Sequence, residues 1–143
     1  MFLGEYEYRV DSKGRLPLPP KFRQELGPGL ILTRGTDECI AVYPVAEWHK
    51  LADTQPARTL TPSQKRRKLN RHIFGAAFDL TLDGQGRIAL PPPLRRYARI
   101  DDVATIIGQN NYVELWNPDL WNTEQVSVEE QVWQITESLE DQQ

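Results

Sequence analysis

From residue 5 the chain alternates polar and apolar positions as Glu5-Tyr6-Glu7-Tyr8-Arg9-Val10, a period of two that predicts a half-buried strand. Asp11-Ser12-Lys13-Gly14 interrupts it with turn chemistry: aspartate bonds backbone two residues on, and glycine accepts positive φ. The alternation resumes in Arg15-Leu16-Pro17-Leu18, with Leu16 and Leu18 on one face and Arg15 opposite. Pro17 has no N–H for a ladder, so this strand needs an edge or irregular position. Pro19 to Leu26 reads as a short helix with Phe22 and Leu26 on one side, stopped by Gly27-Pro28-Gly29. Leu30–Thr33 and Cys39–Tyr43 are apolar strands flanking an Arg34-Gly35-Thr36-Asp37 turn. Pro44 is expected to open a helix to about Leu51 that buries Trp48 and Leu51.

The pattern recurs 72 residues on. Asp83-Gly84-Gln85-Gly86-Arg87-Ile88-Ala89-Leu90-Pro91-Pro92 matches residues 11–20 at Asp, Gly, Arg, the aliphatic, Leu and both prolines. Phe78, Leu80 and Leu82 answer Tyr6, Tyr8 and Val10 upstream, and Arg95 answers Arg23 downstream. Val103–Ile107, a Gly108-Gln109-Asn110-Asn111 turn and Tyr112–Trp116 complete the second copy. Each half therefore reads as hairpin, short helix, hairpin, short helix, and units of about seventy residues are marginal alone, so the halves are expected to share a core or to oligomerise. Between them, residues 53–62 are polar and proline-bearing, as a linker should be. Thr61 is an expected N-cap, with Pro62 at the first position of a basic helix. At the far end Ser127-Val128-Glu129-Glu130 has the spacing of a capping box, followed by Val128, Val132, Ile135 and Leu139 on one helical face.

Charge changes this picture more than composition does. All 17 Lys and Arg fall in residues 1–99 beside 10 acids, a net of +7, whereas residues 100–143 carry 10 acids and no Lys or Arg, a net of −10. A basic body with an acidic tail suggests a polyanion-binding face held apart from a solubilising or interacting segment. No apolar run approaches the roughly 20 residues that span a bilayer, and the amino-terminal residues lack the basic start of a secretory leader. Cys39 is the sole cysteine, which excludes an intrachain disulfide and cysteine-pair zinc motifs. The expectation is a soluble cytoplasmic protein without a cofactor.

Enzyme motifs are scarce. His49 and His72 lie in different predicted helices with no metalloprotease, phosphate-loop or nucleophile-elbow context. The repeated Asp-x-x-Gly-Arg has two readings. In one, Asp, Gly and Arg merely build the turn; in the other, a compact turn presents Arg15 and Arg87 as planar forks for guanine or phosphate oxygens, with Asp11 and Asp83 holding them. Lys13 adds a cation to the first turn where the second has Gln85. The run Lys65, Arg66, Arg67, Lys68 with Arg71 points around a helix rather than along one face, and suits either a solvated or intersubunit surface or direct nucleic-acid contact.

The order of strand, Asp-x-x-Gly-Arg-aliphatic-x-Leu-Pro and short helix, given twice, resembles the MraZ family of bacterial transcription regulators in the AbrB-like, swapped-hairpin β-barrel superfamily. The resemblance spans residues 1 to about 122 and includes Phe2-Leu3-Gly4, the basic helix, Gly75-Ala76 and Trp116-Asn117-Pro118 with Trp121. It implies a mainly β, α+β chain of two tandem AbrB-like half-domains packed as an intramolecular pseudo-dimer. The division would be 1–58, a basic connecting helix at 59–72, a second half at 73–125, and an acidic carboxy-terminal helix at 126–143. It further implies a ring-shaped homo-oligomer, associated with the nucleoid, that binds double-stranded DNA at short direct repeats ahead of its own cell-division and cell-wall operon. The family signature Asp-x-x-x-Arg falls on Asp11 with Arg15 and on Asp83 with Arg87. The rival reading is an antitoxin-like protein-interaction module of the same superfamily.

Overall fold

The computed structural model describes residues 1–53 and 63–141. The elements run β1 (Glu5–Arg9), β2 (Arg15–Pro17), α1 (Pro20–Leu26), β3 (Gly29–Arg34), β4 (Ile40–Pro44), α2 (Val45–Asp53), α3 (Gln64–Ile73), β5 (Phe78–Thr81), β6 (Arg87–Ala89), α4 (Pro92–Tyr97), β7 (Val103–Gly108), β8 (Val113–Trp116) and α5 (Pro118–Asp141). The repeat read from the sequence is thus a structural repeat.

The second hairpin expected in each half forms, β3 with β4 and β7 with β8, but the first two strands of each half do not pair with one another as the local pattern suggested. β1 and β2 are not partners; β1 pairs antiparallel with β7 of the second half, and β5 with β3 of the first. The result is a six-stranded antiparallel sheet in the order β1-β7-β8-β4-β3-β5, with β2 and β6 forming a separate two-stranded ribbon. Burial explains the order. β3 and β7 are buried through their four central residues, which only interior strands achieve, while β1 and β5 alternate exposed with half-buried and take the edges.

One core joins the halves. Leu16, Leu18, Leu30, Leu32 and Ile40 of the first half pack in one cluster with Ile88, Leu94, Ile100, Ile106 and Leu115 of the second. The cluster draws on both halves, as the small size of each predicts. On the other side of the sheet Cys39, Ile107 and Trp116 form a smaller cluster covered by Leu120 and Trp121 at the start of α5. The Glu114 carboxylate is buried beside it and accepts from Gln109 Nε2 (3.2 Å), Trp116 Nε1 (3.1 Å), Tyr112 Oη (3.3 Å) and the Cys39 thiol (3.6 Å). Burial first, then the Glu114 charge, pushes the Cys39 thiol and the Tyr112 phenol above their ordinary ranges.

Three local expectations are corrected. Pro44 ends β4 rather than opening α2, and Trp48 and Leu51 are half-buried on that helix. Thr61 lies outside the described residues; the cap of α3 is Ser63, whose Oγ accepts from the Arg66 N–H. The carboxy-terminal helix does not begin at Ser127. It starts at Pro118, where Asn117 Oδ1 accepts from the N–H groups of Asp119 (2.8 Å) and Leu120 (3.1 Å), so a division at residue 126 falls inside α5. Proline after asparagine is a start signal that outcompetes the later box, because a helix already running has no free N–H at Ser127 to cap. From Val128 to Asp141 every residue of α5 is exposed. Among the described residues no helix is long and apolar enough to cross a membrane.

Candidate nucleic-acid interface

The ribbon of β2 and β6 brings the two repeated turns together. Leu16 stands opposite Ile88, Arg15 opposite Ala89 and Arg87 opposite Pro17, so a pseudo-twofold axis passes through the Leu16–Ile88 pair. Both side chains at the axis are buried, and their apolar faces pin the register, since a slip of one residue would turn Leu16 outward. Leu90 N–H donates to the Gly14 carbonyl at 2.9 Å and Leu18 N–H to the Gly86 carbonyl at 3.3 Å, extending the pairing into each turn.

Each turn is built by its aspartate in the same way. Asp11 Oδ1 accepts from the backbone N–H of Lys13 and of Arg15, both at 2.9 Å, and Asp83 Oδ1 accepts from Gln85 and Arg87 at 2.9 Å. The second oxygen takes the arginine: Arg15 Nε donates to Asp11 Oδ2 at 2.7 Å, and Arg87 Nε to Asp83 Oδ2 at 2.8 Å. Gly14 and Gly86 have φ of 78° and 73°, where a side chain would be strained. The backbone N–H of Arg15 is the main cause holding the Asp11 carboxyl down at about 2, with the guanidinium and Lys13 N–H adding to it. Asp83 is lowered for the matching reason, led by the Arg87 N–H.

Ion pairs as exposed as these contribute little to stability; their effect is to orient. With Nε held by the aspartate, each guanidinium is tethered to its own turn. Among the described residues neither Nη atom of Arg15 has a hydrogen-bond partner, while Arg87 Nη1 lies 3.7 Å from Asp11 Oδ2 across the ribbon.

Sequence reasoning matched Arg23 with Arg95 but gave them no role. Their positions are reciprocal. Arg95 of the second half packs over Gly14 in the first turn, and Arg23 of the first half packs over Gly86 in the second, so a Cβ at Gly86 would collide with the Arg23 side chain. Arg23 Nε is tied to the Leu18 carbonyl at 2.8 Å and Arg95 Nε to the Ile100 carbonyl at 2.9 Å. The eight-residue spacing between Arg15 and Arg23, and again between Arg87 and Arg95, was the available signal. It could not reveal that each arginine serves the other half's turn.

The basic helix is anchored elsewhere. Arg34 Nε donates to the His72 carbonyl (3.0 Å) and Arg34 Nη2 to that of Arg71 (3.4 Å), while the Thr33 hydroxyl meets the Ile73 carbonyl. These cap the carboxy-terminal end of α3 with a cation, where the helix dipole favours one. His72 Nε2 and Tyr97 Oη both contact the Gly35 carbonyl, at 2.8 and 3.1 Å. Lys65, Arg67, Lys68 and Arg71 are exposed and Arg66 is half-buried. The structure thus joins Asp11, Arg15, Asp83 and Arg87 in one constellation, with Lys13 exposed beside it, and carries Lys65–Arg71 on a separate helix whose carboxy-terminal end is tied to β3 and the β3–β4 turn.

Comparison with known proteins agrees with this duplicated architecture. The family described as "MraZ protein, putative antitoxin-like" matches twice, over residues 1–71 and 73–141. A "Transcriptional regulator MraZ" of Dehalococcoides mccartyi is 50% identical over 142 residues, covering 99% of each chain. Its namesake in Herpetosiphon aurantiacus is 48% identical over 123 residues, 86% of this chain and 85% of the relative. That of Halothermothrix orenii is 42% identical over 141 residues, 99% and 98% respectively. Two consecutive matches that together span nearly the whole sequence, with relatives alike along their full length, establish that the chain belongs to the MraZ family.

Proposed function

We propose that this chain is a sequence-specific DNA-binding transcription regulator with no catalytic role. It reads short direct repeats upstream of its own cell-division and cell-wall operon through Arg15 and Arg87. The observation that carries this reading is the pair of aspartate-held arginine forks side by side on one β-ribbon. A two-stranded ribbon fits the major groove, and an arginine fork with its Nε already engaged offers its outer edge to guanine O6 and N7 or to a phosphate. Asp11 and Asp83 position the forks; Lys13 adds charge at the first turn. The names of the relatives, transcriptional regulators over the whole length of the chain, support the same reading.

The exchanged pairing of β1 with β7 and β5 with β3 supports a swapped-hairpin, pseudo-dimeric description of the AbrB-like kind. One protomer offers only a small basic surface, so affinity comes from repetition: a ring of identical chains, acting in the cytoplasm at the nucleoid, places ribbons at the spacing of direct DNA repeats. The exposed stripe of Val128, Val132, Ile135 and Leu139 on α5 supports contact with a second copy. The test is a gel shift with the gene's own upstream DNA at two salt concentrations. Binding should weaken steeply with salt and disappear in Arg15→Ala/Arg87→Ala at unchanged oligomer size. Undiminished binding by that double variant would overturn the assignment.

A further inference from the structure

The exchange of strands makes the two turns unequal in a way neither turn shows alone. Because α4 of the second half packs against the first turn, a groove of about 540 Å³ opens between them, lined by Lys13, Arg95, Arg96, Arg99 and Asp101 among others. Four cations face one carboxylate there. Arg95 is fixed in place, with Nε on the Ile100 carbonyl and Nη2 on that of Asp101 at 2.7 Å. Arg96 is exposed, and Arg99 is exposed with Nε 3.4 Å from Glu38 Oε2. The repeat-equivalent positions around the second turn, 72 residues earlier or later, hold Gln85, Arg23, Gln24 and Gly27, with Lys21 the only cation added.

We propose that this groove anchors a phosphodiester group of the DNA backbone, so that the first turn makes the stronger of the two DNA contacts. The inference rests on the DNA-binding reading above and adds to it residues that the Asp-x-x-x-Arg signature omits. The cluster has the chemistry for such a ligand. Arg95 supplies a fixed charge at the wall, Lys13 and Arg96 are unconstrained at the rim, and an approaching phosphate offers Arg99 a competitor to its exposed Glu38 partner. A phosphate held beside Arg15 would also fix the register in which that fork meets a base edge. The second turn, with fewer cations, would follow rather than lead.

The test uses the intact protein and the variant Arg96→Gln/Arg99→Gly, which installs the residues the first half carries at Gln24 and Gly27. Arg96 is exposed, and Arg99 has a φ of 57°, which glycine adopts without strain, so the fold tolerates both changes; circular dichroism checks this. Fluorescence anisotropy with the upstream duplex and a scrambled duplex, over a salt series, should show affinity lowered about tenfold or more for both. The slope of log affinity against log salt should shrink by about one, the signature of one lost phosphate contact rather than of a weaker long-range field. Gln24→Arg should strengthen binding to both duplexes. If the double variant keeps its affinity and slope while Arg15→Ala still loses binding, the groove inference fails and the DNA-binding reading stands. If the wild type binds neither duplex, both fail. If pyrophosphate binds the wild type and not the double variant, yet duplex affinity is the same in both, the groove takes a free phosphate and its role as a DNA anchor is overturned.

Discussion

Arg87 Nη1 lies 3.7 Å from Asp11 Oδ2, so the carboxylate that orients Arg15 also reaches the arginine of the other repeat. Among the described residues no matching ion pair joins Arg15 to Asp83. Asp11 thus serves both forks and Asp83 only one. Asp11→Asn should therefore weaken binding of the upstream duplex more than Asp83→Asn, by about tenfold against a few-fold, because both lose a charge-assisted hydrogen bond and Asp11→Asn also loses the longer ion pair to Arg87. Equal losses in side-by-side anisotropy titrations would show that the cross-repeat contact is idle.

The Asp11 carboxyl, held at about 2 mainly by the Arg15 N–H, yields a pH prediction. A carboxyl lowered in the folded state favours folding where it is charged there and protonated in the unfolded chain. Its stabilisation is complete above the ordinary carboxyl value of about 4 and is lost as pH falls toward about 2. Carbon-detected NMR of the Asp11 side chain should give a midpoint near 2. Asp11→Asn should flatten the stability curve in that window, and a midpoint near 4 would mean that the turn does not hold in solution.

Leu16 and Ile88 test the shared core. Each is almost wholly buried where the two halves meet, so Leu16→Ala should cost about 2–5 kcal/mol, as core truncations do. Because the cluster draws on both halves, urea unfolding followed by circular dichroism and by tryptophan fluorescence should give one coincident transition, lowered as a unit in the variant. Two separated transitions would show that the halves fold independently.

Glu114 makes a separate prediction about stability. Replacing it with leucine strands the buried Trp116 Nε1 and the other donors around it, at a cost on the order of 3 kcal/mol, whereas Glu114→Gln retains an acceptor and should cost less. Denaturant midpoints of the two variants decide this.

Much of the fold is written in local patterns. The alternation at Glu5–Arg9 and the Leu16/Leu18 face predicted strands, the Asp-x-x-Gly-Arg turns predicted their own hydrogen bonds, and Phe22 and Leu26 marked the buried side of α1. Partnership was legible for the hairpins β3–β4 and β7–β8, whose turns are short, but not for β1, β2, β5 and β6. Period two tells which face of a strand is buried but not which strand lies beside it, so the pairing of β1 with β7 emerges only when β3 and β7 compete for interior places. The candidate site divides in the same way. Arg15 and Arg87 could be read from a signature, because Asp and Arg four residues apart interact within one turn. Arg96 and Arg99 could not, because what makes them neighbours of Lys13 is the exchange between halves.

The central claim is that Arg15 and Arg87 read sequence as oriented forks rather than as mere positive charge. Substituting lysine at both positions keeps the charge and removes the planar, Nε-anchored fork. The direct measurement is the ratio of affinities for the upstream duplex and a scrambled duplex of equal length, at one fixed salt concentration. The account predicts that Arg15→Lys/Arg87→Lys retains binding to the scrambled duplex while the ratio falls by at least about tenfold, toward one. A ratio unchanged from the wild type would contradict it.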